Sequence, residues 1–438
     1  MSEREKISRR RYIEIIGGTI AGLAVGAALG YIYGTTISPP KPVTKPTPRS
    51  IKMGYTMGMT GPLAVPNAWC DKYRILFTEI VNEKGGLYVA EYGERLPIEL
   101  VKYDDRGSTD EMAKYYERLA TVDRVHVFLT SYGTFVAPVV APIAAKYKIP
   151  YVLGSAMPLP DLKSRWTVWT TPIVFASYEL IDLLKKLGIS DVYLAVIETK
   201  FGLEFRRNFV EGFRYKDEVY EGLKDTGIKI VAEKLYPIGT TDFTSIILDA
   251  KAKNPDAFIQ FSYPDDSYAC TKQMIELDYN PKFYYTSLGL ACPTFYKRFT
   301  AEELEGITIY GQTYVPSAPW RDPYIGSCRD FFNKFKERWG EEPDINDTNN
   351  DFVAISIAAQ AIEKAGTLNG EAINEVLHKE TFSTIYGPIK FDEYGIITKD
   401  CPAHTATVLQ WQKGELQVVS PPQSKTAEII YPKPRWPR

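Results

Sequence analysis

Two kinds of hydrophobic run alternate along most of this chain, beginning at Ile51. Ile51–Met57 is a short, mainly apolar run, the pattern of a buried strand. Trp69, Tyr73, Leu76, Phe77 and Ile80 then recur at helical spacing, and Gly85-Gly86 ends that helix. Residues 97–103 predict the next strand, which runs into Asp104-Asp105. Met112, Tyr115, Tyr116 and Leu119 mark the helix after it. A strand over 125–129, an alanine-rich helix ending at Lys146 and a strand over Tyr151–Leu153 complete the block. The alternation restarts after Arg165-Trp166-Thr167. Strands are predicted over 192–197, Lys229–Tyr236, Ala257–Phe261 and Phe283–Thr286, with helices over 203–214, 243–253 and 265–277. Three helices follow between 324 and 379, the first with Phe331, Phe332, Phe335 and Trp339 on one face. Short strands over 389–391 and 406–410 close the pattern.

Strand and helix in strict alternation imply parallel sheets with right-handed crossovers. Two such blocks predict an α/β protein of two doubly wound lobes joined by a hinge, with a cleft between them. The expected division is 51–170 with 307–400 for lobe 1 and 171–306 with 401–420 for lobe 2. The proline-rich segment 421–438 is expected to be peripheral.

The stretch 125–159 holds the strongest chemical signal. Two consecutive strands each deliver small and hydroxyl residues from their C-terminal ends: Ser131, Tyr132, Gly133 and Thr134, then Gly154, Ser155, Ala156 and Met157. That edge of an open parallel sheet is where ligands bind, because helix N-termini there carry unpaired N–H groups. Taken singly, Ser131 and Thr134 also suit ordinary helix capping. Pro138 is tolerated near a first turn, whereas Pro142 should kink or shorten its helix.

The first 35 residues read as an export signal or membrane anchor. Ser8-Arg9-Arg10-Arg11-Tyr12-Ile13 resembles a twin-arginine motif. Residues 15–33 carry no charge and would span roughly 28 Å as a helix, close to the bilayer core of about 30 Å. Gly18, Gly22, Gly26, Gly30 and Gly34 form a small-residue stripe. Ala28-Leu29-Gly30 offers small residues for cleavage, so removal and retention both stay open. Residues 36–50 form a proline- and threonine-rich stalk.

Composition narrows the function. The net charge of −2 over 438 residues, without a basic stripe, argues against nucleic acid. Five scattered cysteines with no CxxC pair exclude the usual zinc spacings, and their pairing is left open. Neither a metal nor a cofactor is expected. GxSxG, HExxH, GxxxxGK[ST] and GxGxxG are all absent. His126, His378 and His404 read as structural. Asp104-Asp105 and Asp265-Asp266 each sit at a strand end, where helix capping is the ordinary role.

Several segments together carry a resemblance. IKMGYTMGMTGPLA, NEKGGL, PIELVKYDDRGS, VFLTSYGTFVAPVVAPIAAKYKIPYV, TTDFTSIILDAKAKNPDAF and YGPIKFDEYG occur in the order found in type I periplasmic binding proteins, leucine/isoleucine/valine branch. They cover most of residues 51–416. The resemblance implies a hinged two-lobe receptor that closes over a small solute and passes it to ABC transporter permease subunits outside the cytoplasmic membrane. It implies that residues 131–134 and 154–157 hold a carboxylate or amide, using the hydroxyls of Thr134 and Ser155 with the N–H groups of Gly133 and Met157. Phe201 and Tyr263 match aromatic positions of the opposite lobe, and Leu288 follows its last strand. Relatives that bind amino acids place a glutamate there for the ligand's ammonium, whereas this chain has Thr286-Ser287-Leu288-Gly289-Leu290. Either Asp265 or Asp266 takes over, or the ligand has no ammonium. Further aromatics, Tyr285, Tyr314 and Trp320, are expected near the rim. A membrane-anchored sensor of the same fold and an amide hydrolase are the competing readings, although no nucleophile has a base in view.

Overall fold

The computed structural model describes residues 47–437 apart from 160, 172–175, 312–315, 317, 345–347, 405 and 423–424. The arginine pair, the apolar segment, the glycine stripe, most of the stalk and Tyr314 lie outside the described residues. Among the described residues no helix is long and apolar enough to cross a membrane.

The first sheet has five parallel strands: β1 (Ile51–Met57), β2 (Ile98–Asp104), β3 (Val127–Leu129), β4 (Tyr151–Leu153) and β5 (Thr167–Trp169), in the order β2-β1-β3-β4-β5. Helix α1 (Ala64–Glu83) follows β1 and buries Trp69, Tyr73, Leu76, Phe77 and Ile80. Helix α2 (Thr109–Arg118) is capped by Ser108, whose hydroxyl accepts from the Glu111 N–H. Helix α3 (Val136–Tyr147) keeps Pro142 inside it.

The second sheet repeats the plan. Its parallel strands are β6 (Asp191–Ile197), β7 (Lys229–Tyr236), β8 (Ala257–Phe261), β9 (Phe283–Thr286) and β10 (Thr308–Gly311), in the order β7-β6-β8-β9-β10. Helix α4 (Ala176–Lys186) precedes this set, α5 (Lys200–Glu211) follows β6 and α6 (Pro264–Glu276) follows β8. The sheet is mixed rather than parallel throughout. Strands β11 (Thr407–Gln412) and β12 (Glu415–Ser420) extend it antiparallel. In each sheet the strand order reverses between the first and third strands, so crossovers diverge there and leave a crevice at the carboxyl ends.

The chain returns to the first lobe for α7 (Cys328–Trp339), α8 (Asn350–Ala365) and α9 (Gly370–Lys379). Helix α8 is buried almost all round, because it lies between β4, α1 and α9.

Three boundaries differ from the sequence reading. Thr308–Gly311 pairs with β9 and β11, so it belongs to the second sheet rather than the first lobe. Pro402–His404 packs beside the Gly387–Lys390 strand of the first lobe. That strand pairs only with Thr381–Thr384 in a local hairpin. The tail is not peripheral: Trp436 is buried, its indole N–H donating to the Tyr279 carbonyl at 2.7 Å, and the Lys433 N–H donates to the Lys282 carbonyl at 2.7 Å.

Candidate ligand-binding site

The carboxyl ends of both sheets supply one small cavity. Its walls are Tyr132, Gly133, Thr134, Ser155, Ala156 and Met157 from the first lobe, with Phe201, Tyr263 and Leu288 from the second. About 10 Å³ remains between them, room for about one water. The lobes are therefore closed on each other here, and Tyr132 and Tyr263 meet across the gap with ring centroids 5.8 Å apart. Tyr263 stacks in turn on Phe201 at 5.5 Å.

The two first-lobe loops are tied together before any solute is involved. The Gly133 N–H donates to the Ser155 carbonyl at 2.9 Å, and the Met157 N–H donates to Thr134 Oγ1 at 3.1 Å. Both N–H groups expected to face a ligand are used between the loops instead. Gly133 has φ +111°, which side-chain-bearing residues rarely adopt, and a Cβ there would lie 2.7 Å from the Phe135 ring.

Beneath the loops lies a buried ion pair that the sequence did not announce. Arg74 on α1 and Asp351 on α8 pair with their side chains 0% and 1% exposed. Arg74 also donates to the Thr130 carbonyl, and its guanidinium carbon sits 4.3 Å over the Tyr55 ring. Burial disfavours the Arg74 cation, yet the adjacent Asp351 carboxylate holds its pKa above the usual value. The second Asp351 oxygen accepts from Ser155 Oγ at 2.6 Å. Ser155 thus donates downward to the carboxylate, and its oxygen accepts from the Cys70 thiol at 3.5 Å, with a second lone pair left as an acceptor for a solute. Thr134 has the opposite polarity: its oxygen accepts from Met157, so its own O–H is the donor.

Four expected site residues do not line the cavity, each for a visible reason. Ser131 Oγ donates to Asn67 Oδ1 at 3.2 Å, away from the gap, and the Tyr132 N–H donates to the same oxygen. Gly154 lies against α8, since a Cβ there would come within 2.6 Å of Asp351. Asp266 caps α6 by accepting from the Tyr263 N–H at 3.2 Å, and burial pushes its pKa up to about 7. Asp265 is exposed beside that cap. Of the expected rim aromatics, Tyr285 is buried within β9 and Trp320 packs over Gly387.

Other groups singled out in the sequence hold backbone. His126 Nδ1 accepts from the Lys52 N–H at 3.0 Å, and burial lowers its pKa. His404 and His378 face the carbonyls of Ile397, Asp392 and Arg165. Asp104 accepts from the N–H groups of Met59 and Arg106, and Asp105 from that of Gly107. Among the described residues no group of His, Cys, Asp and Glu could hold a metal ion. All five cysteines are free and buried.

Residues 50–415 match the sequence profile of a family described as periplasmic binding protein. Leu/Ile/Val-binding protein homolog 7 of Brucella abortus (strain 2308) is 24% identical over 406 residues, covering 89% of this chain and 96% of its own. The branched-chain amino acid transporter substrate binding protein LivJ of Streptococcus pneumoniae, solved with isoleucine, is 19% identical with a TM-score of 0.67. The match covers 88% of this chain and all of LivJ. A solute binding protein of an ABC transporter from Rhodopseudomonas palustris BisB5, solved with 3,4-dihydroxy benzoic acid, is 20% identical with a TM-score of 0.68. That match covers 89% of this chain and 98% of the other.

Proposed function

The chain belongs to the periplasmic binding protein family, and from that premise we propose that it is the extracytoplasmic solute receptor of an ABC importer, selective for a small carboxamide or carboxylate. The observation that carries this reading is the polarity of the closed cavity. Thr134 offers an O–H and Ser155 an oxygen acceptor, while none of the nine lining residues is acidic. A carboxamide satisfies both at once, its carbonyl taking the Thr134 O–H and its NH₂ donating to Ser155. A carboxylate satisfies Thr134 alone.

An α-amino acid would bring an ammonium into a cavity with no carboxylate on its wall, at a cost of several kcal/mol. The Asp351 charge is screened behind Ser155 and already matched by Arg74. The solute's apolar body would lie against Tyr132, Met157, Phe201, Tyr263 and Leu288. Burying about 100 Å² of it contributes about 2.5 kcal/mol. Related proteins take both kinds of ligand, isoleucine in one and 3,4-dihydroxy benzoic acid in another. The wall chemistry here favours the second kind. The gap of about 10 Å³ is too small for such a solute, so the lobes must part to admit it and close around it less tightly than here, and that loaded form is presented to permease subunits. The role is carriage, not turnover.

The test is a thermal-shift panel of leucine, isoleucine, valine, their amides, benzamide and benzoate, followed by calorimetry on each compound that stabilises the protein. Amides and acids without an ammonium are expected to raise the melting temperature most. Stabilisation by the amino acids alone would sink the proposal.

A further inference from the structure

A second and larger cavity opens where the lobes meet, sharing no residue with the cleft. It measures about 540 Å³, within the roughly 300–1,000 Å³ of small-molecule sites. Arg329 and Phe332 on α7 line it from the first lobe, while Tyr296, Trp411 and Glu415 line it from the second. Its floor is aromatic and fixed. The rings of Tyr296 and Trp411 lie 5.0 Å apart, and the indole N–H of Trp411 is held by the Leu290 carbonyl at 2.8 Å. The wall next to Tyr296 is itself anchored across the lobes, because the Trp69 indole N–H donates to Thr294 Oγ1 at 3.1 Å.

The charges around this floor are complementary and come from opposite sides. The third charged lining residue, Glu342, is 3.5 Å from Lys336. Arg329 and Glu415 form no ion pair among the described residues, and each is exposed at the cavity. The first lobe therefore supplies the cation Arg329, along with Glu342 held by Lys336, the second lobe supplies the anion Glu415, and an aromatic floor lies between. An aromatic zwitterion matches all three: carboxylate toward Arg329, ammonium toward Glu415, ring on Trp411 and Tyr296. The acid-free cleft lacks the anion such a solute needs, so the two cavities differ in what they accept.

We propose that this interlobe cavity is a second solute site, which binds a small aromatic zwitterion of the size of an aromatic amino acid. The probe is L-phenylalanine, titrated calorimetrically into the full chain, with N-acetyl-phenylalanine methyl ester, which has no primary carboxamide or carboxylate for the cleft, as its uncharged counterpart. Binding at millimolar concentration or below is expected for phenylalanine and none for the blocked compound. Arg329→Gln and Glu415→Gln should each weaken phenylalanine roughly tenfold, whereas Thr134→Val in the cleft should leave it unchanged. Both substituted side chains are exposed, so the variants should fold, and their melting temperatures verify this. Absence of binding, equal binding of the blocked compound, insensitivity to both charge variants, or loss in Thr134→Val would each overturn the proposal. The last outcome would instead move phenylalanine into the cleft and leave the reading of the cleft as a solute site standing.

Discussion

Replacing Asp351 by asparagine removes the carboxylate against which Arg74 is buried, without changing the shape of the side chain. Arg74 is fully enclosed, and its Nε and Nη1 have no hydrogen-bond partner among the described residues. With asparagine at 351 the cation keeps neutral acceptors, the side-chain amide oxygen and the Thr130 carbonyl, and the face of Tyr55, but the carboxylate paired with it is gone. Breaking a buried pair from one side costs about 3–5 kcal/mol, because the charge left behind has lost both water and counter-ion. Folded proteins hold about 5–15 kcal/mol in all, so the loss would be a large share. Urea unfolding followed by tryptophan fluorescence measures it directly. The double variant Arg74→Met with Asp351→Leu removes both charges and should be less damaged than Asp351→Asn alone. A loss under about 1 kcal/mol in Asp351→Asn, or a double variant as impaired as the sum of the single ones, would refute the argument.

Thr134→Val deletes the acceptor of the Met157 N–H and the proposed ligand donor together. Ligand affinity should fall ten- to a hundredfold and stability by about 1–3 kcal/mol, and unchanged affinity by calorimetry would assign Thr134 to loop structure alone. Asp266 has its folded pKa raised from 3.8 to about 7, so between those values the native state binds the extra proton and stability falls as pH rises. Asp266→Asn keeps a cap oxygen for Tyr263 and should flatten that slope in denaturation curves taken from pH 4 to pH 8; an unchanged slope would show that other groups cause it.

Short continuous apolar runs and the 3.6 periodicity made the strands and helices of both lobes legible, because both follow from how many sides of an element are covered. Cleft residues were legible for a related reason. Polar, small residues directly after buried strands stand out against the apolar run, and six of the residues so identified surround one cavity, with Phe201, Tyr263 and Leu288 supplied by the family resemblance. Arg74 was not found, although Cys70, Tyr73, Arg74, Phe77 and Val81 share one buried helical face, where a charge demands a partner. That signal was present locally; the identity of the partner was not. Asp351 answers it from 277 residues away, and no local pattern encodes such a distance. Thr308–Gly311 pairs with the preceding strand β9 and with β11 a hundred residues later, and a run of only four residues carried no sign of either partner. Trp436 was missed because its proline-rich surroundings suggested a solvated tail, whereas its buried ring and the Lys433 N–H on the Lys282 carbonyl dock the segment.

The span of 196 residues between Ser155 and Asp351 sets an order of events during synthesis. When β5 leaves the ribosome every strand of the first sheet exists, yet Arg74 has no counter-ion and the surface destined for α8 is bare. Most of the second lobe, β6 to β10, must be translated before α8 arrives. At about 5–20 residues per second this is on the order of ten to forty seconds. Throughout that interval the nascent first lobe displays the apolar strands that α8 will cover, a template for aggregation unless a holding chaperone occupies it. A chain that stops short of residue 350 would contain the whole cleft lining and still fail to assemble it. The last third of the polypeptide thus acts as the licence for the first, and quality control has a natural checkpoint in whether α8 has docked.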